Sequence, residues 1–389
     1  MEIEFKMKEP YIVFGSPYIG DEEIEEVTRT LKSGWIGSGP KVTEFEKEFA
    51  SYVGAKHAVA LNSCTAGLHL SMVCSGLKPG DEVITTTLTF AATANSIVHV
   101  GAIPVFVDVD RKTMNIDPDK IEAAITPKTR AIIPVHFAGR PCDMDAINSI
   151  AKQHNLIVIE DAAHCIEGKY GDQKIGSISP MTCFSFYVTK NMTTSEGGMI
   201  TTNDGDIAKQ VKSFGLHGMS SDAWKRFSDE GYKHYEVVYP GFKYNMTDIA
   251  ASLGLCQLPR LETWMTRREQ IWAQYDEAFS GLPCWVPETS NPNDYHARHL
   301  YTLLLDIDNL NISRDQMIIE LHQRGIGTGV HYRALHLHQY YRERFGYKPD
   351  NFPNANWISD RTFSIPLSAN LSDHEVERII FNVKELLSN

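Results

Sequence analysis

The stretch His57–Asp108, HAVALNSCTAGLHLSMVCSGLKPGDEVITTTLTFAATANSIVHVGAIPVFVD, carries the decisive pattern. Short apolar runs (His57–Leu61, Glu82–Thr86, Ile103–Asp108) alternate with segments at helical spacing (Thr65–Cys74, Ala91–Val100). A short, nearly unbroken apolar run suits a strand covered on both faces. Downstream the same alternation continues through the runs Arg130–His136, Leu156–Glu160, Cys183–Tyr187 and Gly198–Thr202, with helical segments at Pro118–Ile125 and Met144–His154. Repeated strand–helix–strand units imply an α/β fold: a mainly parallel seven-stranded sheet with helices on both faces. The last two runs lie too close together for a helical crossover, so one of them is expected to be antiparallel.

Two amphipathic helices are expected ahead of the sheet. Asp21 reads as the N-cap of one, with Ile24, Val27 and Leu31 before Gly34, and Val42, Phe45 and Phe49 mark the other. Beyond about Asp206 the chain turns helical, with a polar stretch at His217–His234. Pro287–Asp294 reads as a connection, followed by a strand at His299–Asp306 and a capped helix at Ser313–Arg324. These features divide the chain into a large domain over 1–255, including the N-terminal helices, and a smaller C-terminal α+β domain over 256–389.

A chain of 389 residues can bury a full core, and 42% hydrophobic with 22% charged residues excludes collagenous and disordered classes. The net charge of −12 excludes a coat for nucleic acid or anionic membrane and leaves room for a small anionic ligand. Seven scattered cysteines without a C-x-x-C pair point to reduced thiols, not to a disulfide framework or zinc ribbon. Met1–Glu4 opens a charged segment without the apolar core of a signal peptide. No window approaches the roughly 18 apolar residues of a membrane span. The expected location is cytoplasmic.

Open α/β sheets bind ligands at the carboxyl ends of their strands. Asn62-Ser63-Cys64-Thr65-Ala66-Gly67 there could cradle a phosphate or could simply cap a helix. Phe90 after the second run could stack on a planar ligand or fill the core. Asp161, in Val158–His164, could serve a ligand or act as an N-cap. Phe184–Gly198, FSFYVTKNMTTSEGG, places Lys190 after a buried strand and ahead of a glycine turn. Phosphate cradle, aromatic plate, acid and lysine together make the kit for pyridoxal phosphate: lysine to bind it covalently, Asp for the ring nitrogen, helix start for the phosphate. Competing motifs fail. No G-x-G-x-x-G follows a strand, Asp21-Glu22 stands where a P-loop after Gly15…Gly20 needs Lys-Ser/Thr, and His331, His336 and His338 have no Cys or acidic neighbour to make a metal site. No metal is assigned.

Phe184–Gly198 closely resembles the lysine signature of the DegT/StrS-type nucleotide-sugar aminotransferases, which are fold type I pyridoxal-phosphate enzymes. The resemblance runs along almost the whole chain through SGWIGSGPKVTEFE (33–46), LNSCTAGLHL (61–70), ITTTLTFAATANSI (84–97), PVHFAGRPCDMDAI (134–147), EDAAHC (160–165), FKYNMTDIAASL (242–253) and GIGTGVHYRALH (325–336). It implies that Lys190 bonds the cofactor and that Asp161 partners the pyridinium nitrogen. Thr65 and Ala66 would hold the phosphate by their backbone and Ser185 by its hydroxyl, Phe90 would stack on the ring, and His164 would lie beside the pyridoxal O3′. Asn245 would reach the phosphate of the neighbouring subunit, so a homodimer with shared sites is implied. His331, Tyr332 and Arg333 would complete the sugar-nucleotide pocket. The implied reaction is transamination of a nucleotide-linked 4-keto (4-keto-6-deoxy) sugar, UDP-linked and aminated at C4, with L-glutamate leaving as 2-oxoglutarate. Cys64, Ser195 and Arg298 depart from the residues usual at their positions. Two alternatives stand beside this reading. One is a sugar 3-dehydratase of the same fold, whose members carry His where Lys190 stands; the other is a non-catalytic regulator that kept the fold.

Overall fold

The computed structural model describes residues 9–220, 235–288 and 291–388. Strands β1 (His57–Leu61), β2 (Glu82–Thr86), β3 (Ile103–Val107), β4 (Thr129–Ile133) and β5 (Ile157–Asp161) are followed by a small hairpin of β6 (Lys169–Tyr170) and β7 (Gln173–Lys174), then by β8 (Met181–Ser185) and β9 (Gly198–Thr202). Seven of these form one sheet in the order β1-β9-β8-β5-β4-β2-β3. Its antiparallel member is β9, which pairs in reverse with both β1 and β8, as the short separation of the two runs requires. The pairs among β8, β5, β4, β2 and β3 are all parallel.

Strand alternation sorts residues between two helical layers. Ala58 and Ala60 of β1, Phe184 of β8 and Met199 of β9 face helix α2 (Pro40–Val53), whose Phe45 and Phe49 are fully buried against Phe184 and Phe186. Val59, Leu61, Cys183 and Ile200 face the other way, onto Leu68, Leu70 and Met72 of α3 (Cys64–Cys74). Burial of each of the larger side chains among these, Val, Leu, Ile, Phe or Met, stabilises the fold by about 1.5–3 kcal/mol before entropy is counted. A further core joins the helix Leu261–Phe279, the helices Arg314–Gln323 and Asp373–Leu387, and a three-stranded sheet of β10 (Cys284–Trp285), β11 (Tyr301–Leu305) and β12 (Thr362–Ile365). Ser313 caps its helix as the sequence suggested, accepting from Gln316 N. Leu88, Phe106 and Phe137 pack against Leu300, Leu335 and Ile358, so the ends of β2 and β3 are covered by the C-terminal part of the chain.

Three sequence expectations need correction. Helix α1 (Asp21–Ser33) is capped by Gly20, whose N–H donates to Glu23 Oε2 at 2.9 Å; Asp21 is already its first helical residue. Its apolar stripe does not face the core: Ile24 and Leu31 are 57% and 53% exposed, while Glu23 is buried in an ion pair with Arg260. Pro118–Ile125 is a single short helical turn, Pro118–Ile121, continued as a 3-10 turn at Glu122–Ala124. Of the polar stretch His217–His234, residues 221–234 lie outside the described residues.

Candidate active site

The carboxyl ends of β1, β2, β5 and β8 share one edge of the sheet because β9, running in reverse, leaves its two neighbours parallel to each other. Gly198, at the start of β9, pairs with Leu61 on one side and Ser185 on the other. A Cβ there would overlap the Ser63 carbonyl carbon and the Cys64 nitrogen, so glycine lets the start of α3 lie directly on the strand. Ser63 caps α3 by accepting from Ala66 N at 3.1 Å, and Gly67 N closes the first turn on Ser63 O. Thr65 therefore sits in the opening turn, where N–H groups and the helix dipole favour an anion. The Ala66 amide is already turned to the cap.

Asp161 ends β5 and caps no helix. Its carboxylate is 5% exposed and takes hydrogen bonds from Thr93 Oγ1 at 2.8 Å and from Ala163 N at 3.1 Å. Thr93 spends its proton on the carboxylate, so Thr89, 2.9 Å behind it, is the donor in that pair. Burial raises the Asp161 carboxyl above its ordinary range, while the Thr93 hydroxyl, the Ala163 amide and Lys190 oppose it. Phe90 stands at the N-cap of α4 (Ala91–His99) and is 62% exposed, so it is no core residue; its ring lies 6.3 Å from that of Tyr332.

Lys190 follows β8 in a turn closed by its own N–H to Tyr187 O, 2.9 Å. Burial lowers its amine to about 8, against the pull of Cys64 and Asp161. Ser185, the last residue of β8, is partly buried and accepts weakly from Tyr187 N. His164 is buried, with Nε2 3.1 Å from the Tyr332 hydroxyl and Nδ1 without a partner. Burial and the Lys190 charge keep His164 well below the ordinary histidine range, and bring His331 down to about 3. His331 is held through Nδ1 against Ser364 Oγ at 2.9 Å. The structure thus brings Asp161, His164, Lys190, His331 and Tyr332 within electrostatic reach of one another, with Phe90 beside Tyr332. Arg333 does not join them: it is exposed, and its guanidinium donates to Leu337 O. Asn245 bridges to Leu61 at the end of β1; its Nδ2 donates to Ser38 Oγ and its Oδ1 accepts from Lys243 Nζ, each at 2.6 Å.

Residues 17–384 match the family model described as the DegT/DnrJ/EryC1/StrS aminotransferase family. The chain belongs to this family. It is a pyridoxal-phosphate-dependent sugar aminotransferase of fold type I. Among its relatives is the spore coat polysaccharide biosynthesis protein SpsC of Bacillus subtilis, 50% identical over 378 residues and covering 97% of each chain. An uncharacterised protein of Methanocaldococcus jannaschii, MJ1066, is 51% identical over 382 residues, 98% of this chain and 99% of that one. Among solved structures, Spr1654 of Streptococcus pneumoniae, a proposed sugar aminotransferase in its PMP form, superposes with a TM-score of 0.90 at 36% identity, covering 97% of this chain and 99% of that one.

The aminotransferase's own residues fit its cofactor. Both hydrogen bonds to the buried Asp161 carboxylate come from neutral donors, so a protonated ring nitrogen would add a hydrogen-bonded cation. The unpartnered Nδ1 of buried His164 leaves a polar atom free for a ligand oxygen. Sequence reasoning missed Thr89, Thr93, Asn191, Glu167, Arg268 and His299. Thr93 had a readable signal, three residues past Phe90 and so facing the same side of α4. The others come together only through tertiary packing.

Proposed function

We propose that this aminotransferase transfers the amino group of L-glutamate to C4 of a nucleotide-linked 4-keto-6-deoxy sugar, UDP-linked in the first instance. The observation that carries the reading is that a buried carboxylate, Asp161 at the end of β5, and a buried amine, Lys190 just after the adjacent parallel strand β8, lie at the same edge of the sheet. The cofactor supplies an electron sink and carries the amino group between donor and acceptor. The protein residues do the rest. Lys190 Nζ, its amine lowered by burial, would hold the cofactor and, when free of it, would take up and return a proton as general base and acid. Asp161 holds the proton on the ring nitrogen, and Thr93 holds Asp161. The Thr65 backbone and the Ser185 hydroxyl would receive the phosphate, the Ala66 amide being held by the Ser63 cap, while Phe90 would cover the ring and His164 would stand beside the ring oxygen.

The acceptor class is supported by the SpsC relative, whose name places it in polysaccharide biosynthesis, where sugars enter as nucleotide conjugates. His331 and Tyr332 would contribute to the sugar-nucleotide pocket in this reading, whereas Arg333 is turned to the surface. Exposed apolar side chains on and just after α1, Ile24, Leu31, Trp35 and Ile36, are of the kind that subunits cover and support a homodimer, in which Asn245 would serve the neighbouring subunit's phosphate. The large part over 1–255 then carries the cofactor, with the smaller part over 256–389 closing the site. The test is a product assay by mass spectrometry with glutamate and a panel of UDP-, GDP- and dTDP-4-keto-6-deoxy sugars. Amination of a UDP-linked sugar is the expected result. Turnover of only GDP or dTDP compounds would refute the UDP assignment, and turnover of none would refute the acceptor class.

A further inference from the structure

Tyr332 stands where three other rings of the site meet. Its ring centre lies 6.3 Å from that of Phe90 and 6.1 Å from that of Phe137, which it meets edge-on. The His164 ring, also 6.1 Å away, is nearly parallel to it at 19°. The segment that carries Tyr332 is pinned by the C-terminal part of the chain: Thr362 Oγ1 donates to His331 O at 3.0 Å, and Ala334 N donates to Ser359 Oγ at 2.8 Å. The Tyr332 hydroxyl is thereby held 3.1 Å from His164 Nε2.

Which of these two atoms donates follows from the polar groups around them. Burial keeps the phenol protonated and the imidazole neutral, so each ring has one proton to place. Among the described residues the Tyr332 hydroxyl has no second hydrogen-bond partner, and buried His164 Nδ1 has none. With the histidine proton on Nε2, the phenol proton would lack an acceptor and Nδ1 would be a bare lone pair, leaving two polar groups unmet. With Nε2 accepting from the phenol, a single group is left, an N–H on Nδ1. Each unmet buried group costs free energy, so the second arrangement is the stable one. The groups that face His164 from other elements, Lys190, His299 and His331, do not alter this, because none of them hydrogen-bonds to it. His331 Nδ1 is engaged by Ser364 Oγ, and His299 Nδ1 by Asn191 Oδ1 at 2.9 Å, an amide fixed in turn by Glu167, the ion-pair partner of Arg268.

We infer that Tyr332 is a positioning residue for the cofactor: its hydroxyl donates to His164 Nε2 and so fixes the histidine proton on Nδ1, where it serves the ring oxygen of pyridoxal phosphate. The inference rests on the reading that puts this oxygen beside His164. The oxygen is negatively charged in the bound cofactor, so an N–H there attracts it and a lone pair repels it. Tyr332 thus has a task at the cofactor besides its place in the sugar pocket. The hydroxyl comes from the C-terminal part of the chain and the histidine from the loop after β5, so the tautomer is set only when the two parts are packed together.

Two measurements on the full-length protein test it. Without cofactor, the nitrogen-15 shifts of His164 should show the Nδ1–H form, and Tyr332→Phe should let the Nε2–H form appear. An Nε2–H form in the unsubstituted protein would overturn the inference and needs no variant to be seen; an undiminished Nδ1–H form in Tyr332→Phe, with folding shown by circular dichroism, would overturn it too. In protein loaded with pyridoxal phosphate, the pH midpoint of the cofactor's visible absorption band reports the donor at the ring oxygen, because that donor stabilises the form that has lost its proton. The midpoint should rise by about half to one pH unit in Tyr332→Phe, and by at least as much in His164→Leu. Because Tyr332 acts through His164, Tyr332→Phe should add no shift in the His164→Leu background; a shift that persists there would mean that the tyrosine acts by another route and would overturn the inference. An unmoved midpoint in His164→Leu would instead defeat the placement of the ring oxygen beside His164, while the shifts measured without cofactor still decide whether Tyr332 sets the tautomer.

Discussion

Replacing Lys190 by methionine should make the cofactor-free protein more stable at neutral pH and no more stable at pH 11. In the folded chain burial brings the lysine amine from 10.5 to about 8. The sign depends on which state binds the proton. Above pH 10.5 the amine is neutral whether the chain is folded or not, and it contributes nothing. As the pH falls from 10.5 to about 8, the unfolded chain takes up a proton that the folded chain refuses, so stability is lost across that window. Below about 8 the loss is complete. At about 1.36 kcal/mol per pH unit the window is worth roughly 3 kcal/mol, an upper limit on what methionine, of similar length and without charge, can recover. Urea unfolding of both proteins at pH 7, 9 and 11 would measure it. The gain should be largest at pH 7, smaller at pH 9 and absent at pH 11. An equal gain at pH 7 and pH 11 would mean that methionine merely packs better, and the argument from a buried amine would fall.

Four further outcomes are expected of the same site. Thr93→Val removes the hydroxyl donor to Asp161 Oδ2; a hydrogen bond to a charged group is worth about 1.5–3 kcal/mol, so the acid limb of the kcat/KM profile should move up by about one pH unit or more, and an unmoved limb would make Thr93 a packing residue only. Gly198→Ala should push the start of α3 off β9 and weaken pyridoxal-phosphate binding about tenfold or more in equilibrium dialysis, whereas unaltered affinity would show that α3 does not hold the phosphate. Ser195 sits at φ 71°, in the left-handed region, and Ser195→Gly should therefore raise stability by about 0.5–1 kcal/mol in urea; a loss would show that its side chain matters more than its backbone. Asn245→Asp and Lys190→Ala, each inactive alone, should regain activity in about a quarter of sites when unfolded and refolded together as random dimers; a dead mixture containing mixed dimers would show that Asn245 does not act across subunits.

Much of this was legible in the sequence because sheet strands buried on both faces leave short apolar runs that need no partner to be seen. Four of the seven runs shifted by a residue or more at an end, yet every one of them is a strand of the sheet. Lys190 and Asp161 were legible as candidates for a related reason: Asp161 ends one such run and Lys190 follows another by a short turn, which puts both at the sheet edge. Helix α1 marks the limit of periodicity. Its stripe of Ile24, Val27 and Leu31 has the right spacing for a core face, but the helix docks through Glu23 and its ion pair with Arg260, leaving Ile24 and Leu31 exposed. Spacing finds an apolar face without saying what will cover it. The Asn191–His299 contact was invisible because it joins residues more than a hundred positions apart through a loop that has no regular structure of its own. The left-handed backbone at Ser195 explains why glycine is the usual residue there, a constraint that the serine conceals in the sequence.

The placement of β9 has a consequence for how the protein is made. Because β9 lies between β1 and β8, the first strand of the sheet to leave the ribosome finds its neighbour only after Thr202 has been synthesised. Helix α3 can form early, but Gly198, the residue on which its first turn rests, arrives with that same late strand. The β8–β9 hairpin that carries Lys190 is local and closes quickly by comparison. Insertion of this hairpin beside β1 therefore seats the start of α3 and the Lys190 turn in a single late event. A chain truncated short of β9 can display several strands and helices, but it cannot bring the start of α3 and the turn that holds Lys190 together.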